Sequence, residues 1–430
     1  MSPTARIPSE ILIEIFQISC QPVYNGYRQA VTPFFIGSIC RRWRDVAWST
    51  PLLWNTILLH VSLKQHSSQV QLLRDWLLNA RSAPLSIKLI AEHEHGPVLC
   101  HAIEAIMRIL VTRSDYWLTF DSCLPSQCHN IFKNINFPML TSVSLVSTSI
   151  IPDMFLTAPK LVDFNLPHYN FSMMLPWEQI RCFKTQWLTV PMCLKIIRQS
   201  PNLQECHFEQ VDSRFSLTSK TITSHAQLKI LYVMLRGTGA SSESMSLFDS
   251  VTLPSLSNLR IQYKGTKRLP LSSITSLFLR SASILERFTI EFPFDNADLI
   301  PCLEAIPSLT YLHLERLWAQ SSDMGLTGDL VASLDPLSNL NSSRLLLPNL
   351  KYFKYKGPAL CDCRTIVDML AHRWHLPNDG GASQSIRASK LQLAEVFSTV
   401  PYHVTADVQE ELRNLLEEGM LVRIESLVRD

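Results

Sequence analysis

The stretch Pro307–Glu315, with the sequence PSLTYLHLE, contains the pattern that decides the fold of this chain. Its Leu312 and Leu314 are two residues apart, so an extended strand buries both on one side and leaves the residues between them on the other. The pattern Leu-x-x-apolar-x-apolar occurs at Leu140/Val143/Leu145, Leu161/Phe164/Leu166, Leu203/Cys206/Phe208, Leu228/Leu231/Val233, Leu256/Leu259/Ile261, Leu285/Phe288/Ile290, Leu309/Leu312/Leu314 and Leu350/Phe353/Tyr355, with a weaker copy at Ile180/Phe183. Proline stands two residues before the first leucine in six of the eight full copies: Pro138, Pro159, Pro201, Pro254, Pro307 and Pro348.

The copies start 19 to 29 residues apart, except for a longer last interval, and this spacing resembles that of leucine-rich repeats. Short helical patterns lie between the copies, for example PMCLKIIRQS before Pro201. One copy cannot bury its leucine row alone, so neighbouring copies must stack. The sequence therefore predicts an α/β fold in which residues 58–400 form a leucine-rich-repeat-like solenoid with a parallel sheet.

One feature of such repeats is missing. Leucine-rich repeats usually carry Asn or Cys eight residues after the first leucine, whereas this chain has Thr148, Tyr169, Val211, Arg236, Lys264, Pro293, Leu317 and Pro358. A ladder of Asn side chains is therefore excluded, and an irregular α/β domain with Leu-rich strands is the alternative. Residues 401–430 carry a helical pattern that ends near Gly419 and the strand pattern MLVRI, and we expect them to cap the solenoid.

The amino-terminal stretch has a different pattern. Ile7, Ile11, Leu12, Ile15 and Phe16 recur at helical spacing, as do Ile39, Cys40, Trp43, Val46 and Ala47 further on, and Thr50 can cap a short turn that starts at Pro51. Three such short helices are near the lower size limit for independent folding. Because Trp43, Trp48 and Trp54 crowd this stretch, we expect the rest of the chain or another protein to cover them. A helical cap on the following domain is one interpretation.

The order of these blocks, Ile7-Pro8-x-Glu10-Ile11-Leu12, then Ile39-Cys40-Arg41-Arg42-Trp43, then Pro51-Leu52-Leu53-Trp54, resembles an F-box, in particular the F-box-like variant common in fungal families. The resemblance covers residues 4–57 as a small three-helix unit. It implies docking onto the Skp adaptor of Skp–cullin–F-box ubiquitin ligases. The residues expected to contact the adaptor are Ile7, Pro8, Ile11, Leu12, Ile15, Phe16, Ile39, Cys40, Trp43, Val46, Ala47, Pro51, Leu53 and Trp54.

Composition narrows the classes of function. Among 430 residues, 46% are apolar and 18% charged, the net charge is +2, and no long run has one sign. A nucleic-acid or membrane surface needs clustered Lys and Arg, so neither partner is expected. No window is apolar for long enough to span a membrane. The eleven cysteines have irregular spacing, which favours a reducing compartment, and we expect the cytoplasm, the nucleus or both.

Catalytic and metal-binding motifs are poor. His93-Glu94-His95 is typical of a solvated loop, and Cys361-Asp362-Cys363 has one residue between its thiols, too few for a zinc or redox pair. Cys123, Cys128 and His129 lack a second ligand pair, and Gly237-Thr238-Gly239 lacks the rest of a phosphate loop. We therefore expect no cofactor, no metal and no enzymatic activity. An enzyme on a Leu-rich α/β domain would need a pocket with several titratable groups.

The class of function that remains is recognition of another protein. The residues between the buried strand positions form one open face, and aromatic, Arg and charged residues on adjacent strands are typical of protein interfaces. The candidate target-binding residues are Glu205, His207, Glu209, Tyr232, Arg260, Arg287, Glu291, Tyr311, His313, Tyr352, Lys354 and Lys356. An acidic start of this series and a basic end would orient a bipolar partner.

The sequence thus favours a non-catalytic substrate-recognition subunit of a ubiquitin ligase. In this hypothesis the amino-terminal helices hold the Skp adaptor, and through it a cullin, while the repeats hold an unknown target destined for ubiquitin-dependent degradation. The alternative is a leucine-rich-repeat interaction scaffold outside any ligase, whose amino-terminal helices merely cap the first strand.

Overall fold

The computed structural model describes residues 7–427 except 21–30, 92–96, 126–127, 129–130, 133, 147–154, 213–220, 237–244, 266, 317–324, 339–344, 377–387 and 402. Its packing divides the chain into two compact units, Met1–Cys182 and Phe183–Asp430. The domain boundaries predicted after residues 57 and 400 do not coincide with this division and stay predictions. None of the described helices is both long and apolar enough to cross a membrane.

The first unit begins with helices and continues as a sheet. Its helices are α1 (Ser9–Ser19), α2 (Pro33–Ile39), α3 (Arg41–Ser49), α4 (His66–Ala80) and α5 (Pro97–Val111), with a 3-10 turn at Pro51–Trp54. Its strands are β1 (Thr56–Val61), β2 (Leu85–Ala91), β3 (Trp117–Cys123), β4 (Ser142–Leu145) and β5 (Asp163–His168). Each strand pairs in parallel with the next one along the chain.

The second unit repeats a strand and a helix. The strands of its main sheet, in spatial and chain order, are β6 (Cys182–Gln186), β7 (Glu205–Val211), β9 (Ile230–Leu235), β11 (Asn258–Tyr263), β12 (Arg287–Glu291), β13 (Tyr311–Glu315), β14 (Tyr352–Gly357), β15 (Leu393–Ser398) and β16 (Leu421–Ser426). Two short strands, β8 (Thr223–Ser224) and β10 (Val251–Thr252), pair separately. The helices are α6 (Val190–Gln199), α7 (Ser246–Asp249), α8 (Ser272–Ser281), α9 (Asn296–Glu304), α10 (Gly328–Leu334), α11 (Cys363–Trp374) and α12 (Ala406–Glu417).

The predicted α/β class and the long parallel sheet are confirmed. From β7 to β16 the described pairings are all parallel and, within the main sheet, each strand joins the next one of that sheet along the chain, which is compatible with a leucine-rich-repeat-like solenoid. The apolar positions of all eight full copies of the repeat pattern are buried, with at most 2% of each side chain exposed. Each strand therefore contributes its apolar side chains to the core, as the two-residue alternation requires.

The prolines of the repeat pattern occupy tight turns. In the turn Ser200–Leu203, the Leu203 N–H donates to the Ser200 carbonyl at 3.1 Å, and Pro201 is the second residue. The same bond precedes the five other copies that carry this proline. Proline fixes φ near the value that the second position of a turn needs, so it stabilises the entry into the strand.

Backbone hydrogen bonds join neighbouring repeats at their strand starts. The carbonyl directly after the first leucine accepts two successive N–H groups from the start of the next strand. For example, Gln204 O accepts from Lys229 at 2.8 Å and from Ile230 at 3.0 Å. The same pair of bonds recurs at Lys229, Ser257, Glu286, Thr310 and Lys351. Neighbouring repeats are thus joined at their strand starts by backbone groups alone, without a specific side chain.

The second predicted helical stripe is wrong in one respect. Cys40 has an extended backbone (φ −159°, ψ 165°), so it separates α2 from α3, and a single helical stripe cannot run through it. Thr50 also does not cap the following turn, because its hydroxyl donates back to the Val46 carbonyl at 2.8 Å. The chain instead turns sharply at Cys40, and Gly37 allows this packing because a Cβ there would lie 2.1 Å from the Trp48 indole.

Candidate protein-interaction surfaces

Helix α1 has one buried and one exposed apolar side. Leu12 and Phe16, four residues apart, are each 1% exposed, and the Phe16 ring lies 5.0 Å from that of Trp43. Ile11, Ile15 and Ile18 follow the same helical spacing on the neighbouring side and stay 45%, 43% and 71% exposed. On a helix with a single, buried apolar face, this neighbouring side would carry polar residues. The exposed isoleucines are therefore a candidate docking stripe.

The predicted adaptor-contact residues divide between surface and interior. The exposed or half-buried ones are Ile7, Pro8, Ile11, Ile15, Ile39, Cys40, Trp43 and Pro51. The buried ones are Leu12, Phe16, Val46, Ala47, Leu53 and Trp54. Sequence spacing alone missed three exposed apolar residues of the same helices and turn: Ile18, Phe35 and Leu52. A helical pattern identifies apolar positions, but neighbouring helices decide which of them remain in water.

The three tryptophans do not form an uncovered patch, which corrects one reading of the sequence. Trp54 is fully buried, its ring lies 4.9 Å from Phe34, 5.1 Å from Trp48 and 5.2 Å from Trp76, and its Nε1 donates to Ala47 O at 2.9 Å. Trp76 belongs to α4, and its own Nε1 donates to the Trp54 carbonyl at 2.6 Å. The chain therefore covers Trp54 itself, while Trp43 and Trp48 are half-buried.

The second candidate surface is the strand face, defined as the outward residues of β7, β9 and β11 to β16. The parallel register places its predicted members side by side. One row runs through His207, Tyr232, Arg260, Thr289, His313 and Lys354, and a second through Arg287, Tyr311 and Tyr352. Only Glu209 leaves this order, because a bulge between Phe208 and Val211 shifts the register. The structure thus brings the other candidate target-binding residues onto one face.

Cations stack on aromatic rings along the strand face. Arg260 lies over Tyr232 at 5.1 Å, and Arg287 lies over Tyr311 at 4.5 Å. The next ring in that row, Tyr352, is 6.3 Å from Tyr311 and remains 37% exposed. Such pairs hold flat, partly apolar groups at fixed positions, which lowers the entropy lost when a partner packs on them.

The charges of the strand face are paired locally, so the expected acidic-to-basic gradient is wrong. His207 contacts Glu205 at 2.8 Å and Arg260 contacts Glu291 at 2.7 Å. Further along, Lys356 pairs with Glu315 at 3.5 Å and Lys354 with Glu395 at 2.8 Å. Arg260, Lys354 and Lys356 therefore each have a carboxylate partner, and a protein that binds this face would meet a mosaic of charge instead of two poles.

The strand face extends beyond the target-binding residues that the sequence predicted. On β15 and β16, Glu395 pairs with Lys354, Arg423 lies over Phe397 at 5.2 Å, and the same guanidinium bonds Glu425 at 2.7 Å. The strand MLVRI was expected, but residues 401–430 were predicted only to cap the solenoid. Their alternation of apolar and polar residues was the available signal.

His313 is held neutral within the strand face. Burial and the charges of Lys354, Arg260 and Lys356 lower its pKa to about 4. Its Nε2 lies 3.6 Å from Glu315, too far for a hydrogen bond. Because the unfolded chain binds a proton near pH 6.5 and the folded chain does not, stability should be complete above that pH and fall as the pH drops toward 4.

We expect the substitution His313→Gln to flatten this pH dependence. Glutamine keeps a polar group but cannot take up the proton, so the decline in the urea midpoint between pH 6.5 and 4 should become shallower than in the wild type. Urea unfolding followed by circular dichroism at several pH values measures it. His66→Gln, on an exposed helix start, is the matched control. Equal slopes for the wild type and His313→Gln would contradict the assignment.

The described residues give no support for catalysis or metal binding at the sequence motifs considered above. Cys361 is half-buried and Cys363 is buried, with burial raising the pKa of Cys361 to about 11, so neither thiol is poised for reaction. No group of three His, Cys, Asp or Glu that could hold a metal occurs in the described part of the chain. His93–His95, His129, Gly237–Gly239, Thr148 and Leu317 lie outside the described residues.

Comparison with known proteins adds little. No protein-family model and no curated protein matches this sequence. Among solved structures, a structural-genomics protein from Bacteroides fragilis matches with 10% identity and a TM-score of 0.31, over 77% of this chain and 84% of that one. A likeness of that extent carries no argument about fold or function.

Proposed function

We propose that this protein is a non-catalytic substrate-recognition subunit of a Skp–cullin–F-box ubiquitin ligase. In this proposal the amino-terminal helices dock onto a Skp-type adaptor, and the strand face holds a target protein that the ligase modifies. The subunit itself raises the effective concentration of target beside the catalytic partners. The observation that carries the proposal is the exposed isoleucine stripe of α1, in a stretch whose sequence blocks resemble an F-box.

The exposed stripe supports docking of a helical partner. Ile11, Ile15 and Ile18 recur at spacings of four and three residues, so they lie along one side of α1. A partner that covers them would remove apolar surface from water, at about 25 cal/mol for each Å² buried. Phe35 and Ile39 of α2, 60% and 52% exposed, offer a further pair at the same spacing. Hydrophobic contact, rather than charge, would supply the affinity.

The strand face supports the target-binding half. Its rings and guanidinium groups are the residue types that interfaces use as anchors, and adjacent strands present them in register. Its charge mosaic favours a folded partner surface with alternating charges over a uniformly basic or acidic chain.

The double substitution Ile11→Glu and Ile15→Glu tests the adaptor half. It places two charges in the docking stripe and leaves the buried side of α1 intact, so we expect at least a tenfold drop in the Skp adaptor recovered with the chain. Co-expression with a Skp adaptor and a cullin, followed by co-purification, measures this. Circular dichroism should give the same unfolding midpoint as the wild type.

The matched control is Leu72→Glu with Leu78→Glu. These leucines are 43% and 69% exposed on α4, so the control adds the same charge to a different apolar surface. Adaptor recovery should not change. If the α1 variant retains the adaptor, or if both variants lose it equally, the stripe is not the docking site and the proposal fails.

The second candidate is an interaction scaffold outside any ligase. The observation that favours it is the cover of Trp54 by Phe34 and Trp76, since amino-terminal helices that only cap β1 would seal their rings in this way. In that case the wild-type chain should be monodisperse alone and should not retain the adaptor during gel filtration of the co-expressed proteins. A stable ternary complex with adaptor and cullin would exclude it.

A further inference from the structure

Arg316 is a buried cation with incomplete bonding. It follows β13 directly and is 1% exposed. Its Nη2 donates to Asn296 Oδ1 at 2.5 Å, its Nη1 donates to Gly325 O at 3.2 Å, and its guanidinium lies 3.7 Å over the ring of Phe294. The Nε makes no hydrogen bond, and no carboxylate lies within ion-pair distance of Arg316 in the described part of the chain. A buried charge without a counter-ion is costly, so its surroundings require an explanation.

A second buried arginine gives the contrast. Arg373 is also fully buried, but its Nε, Nη1 and Nη2 donate to the carbonyls of Leu334, Leu347 and Leu346 at 2.6, 3.2 and 2.6 Å. Each of its nitrogens therefore has a partner, as expected of an arginine that only holds the fold together. Arg316 differs both in the unpaired Nε and in its position at a cavity.

The cavity beside Arg316 has a volume of about 330 Å³, at the small end of the range for ligand pockets. Arg316 and Arg268 line it together with Asp295 and Asp329. The Asp295 carboxylate is already engaged, since it accepts from Ala297 N–H at 3.1 Å and pairs with Arg268 at 3.4 Å. Asn296 is fixed as well, because its amide donates at 3.0 Å to both Gly325 O and Thr327 Oγ1.

The lining limits the charge and shape of an occupant. Two arginines and two aspartates sum to zero formal charge, so a dianion such as phosphate would leave excess negative charge in the cavity, whereas a monoanion leaves less. Phe294, Ile300 and Leu330 supply an apolar part of the wall. A ligand with one carboxylate on a small hydrocarbon body matches both parts.

We propose that the cavity between Arg268 and Arg316 binds a small organic monocarboxylate. The carboxylate takes a hydrogen bond from Arg268 at the rim and supplies the negative charge that the buried Arg316 lacks, while the hydrocarbon body packs on the apolar wall. This site is separate from the isoleucine stripe of α1 and from the strand face, so its outcome does not depend on the proposed function.

Titration calorimetry and ligand-observed NMR of the full chain with benzoate, benzamide and inorganic phosphate test the proposal. We expect benzoate to bind and the uncharged benzamide and the phosphate to bind at least tenfold more weakly. Arg268→Gln should weaken benzoate binding on the order of tenfold, because the rim residue loses its charged donor without disturbing the core. Lys267→Gln, which removes an adjacent charge outside the lining, should leave binding unchanged.

Ala297→Phe provides a second variant that does not alter any charge. Ala297 is an exposed residue of the lining, and a phenyl ring there should block benzoate while the unfolding midpoint stays that of the wild type. The proposal is overturned if benzoate and benzamide bind equally, if phosphate binds more tightly than benzoate, if Arg268→Gln and Lys267→Gln have the same effect, or if millimolar benzoate does not bind at all.

Discussion

Replacing Trp54 with alanine is expected to lower the free energy of unfolding by about 3–5 kcal/mol. The indole is fully buried among Phe34, Trp48 and Trp76, so its loss leaves a large cavity in addition to the lost burial. The substitution also removes the bond from its Nε1 to the Ala47 carbonyl. Urea unfolding followed by far-ultraviolet circular dichroism measures the change without relying on the fluorescence of the replaced residue.

The neighbouring Leu52→Ala is the control. Leu52 lies in the same turn but is 51% exposed, so its truncation should cost well under half as much. A loss below about 1 kcal/mol for Trp54→Ala would mean that the amino-terminal helices do not pack on α4 as described. The result also bears on the proposed function. Loss of adaptor binding by a Trp54 variant would reflect unfolding, whereas loss by the Ile11→Glu and Ile15→Glu variant would reflect a changed docking surface.

The second large effect is expected at Arg373. The substitution Arg373→Met should lower the free energy of unfolding by about 3–5 kcal/mol, because three buried carbonyls lose their donor. Two of them belong to Leu346 and Leu347, at the turn that precedes β14, and Leu347 has a left-handed backbone with φ of 51°. Such a conformation in a residue other than glycine persists only when its surroundings hold it. Urea unfolding by circular dichroism again gives the magnitude.

Arg364→Met, on the same helix α11, is the matched control. Its guanidinium is exposed and bonds the carboxylate of Asp368 at 2.8 Å, a surface pair that water screens. The midpoint should stay near that of the wild type. Equal losses for the two variants would show that removal of any α11 arginine is responsible, and the role assigned to the three carbonyls would be wrong. Arg373→Lys should recover only a part of the lost free energy of unfolding, since one ammonium group cannot reach three separate acceptors.

The repeat strands could be predicted because their pattern is local. In the unit Leu309/Leu312/Leu314, the two-residue alternation dictates which side chains enter the core, and the described strand follows it. The strand face follows from the same alternation. Sequence spacing could not give the pairing of Lys354 with Glu395, because the two residues are 41 positions apart and meet only through the register of β14 and β15.

The amino-terminal helices were predicted less well. Ile11 and Leu12 are adjacent and equally apolar, yet one is exposed and the other buried. The difference arises because α1 packs against the neighbouring helix α3, where the Trp43 ring lies 5.0 Å from that of Phe16. The break at Cys40 likewise depends on how α2 meets α3, which no helical periodicity records.

The sequence alone determined the positions of the repeat strands, their parallel order and most residues of the strand face from β7 to β14, since a pleated strand converts alternation directly into two faces. The tertiary structure decided which amino-terminal apolar residues remain in water, and how the charges of the strand face pair. It also decided that Arg373 would be fully bonded and Arg316 would not. These features depend on groups distant in the sequence, such as Trp76 against Trp54 and Leu346 against Arg373, whose contacts only the folded chain creates.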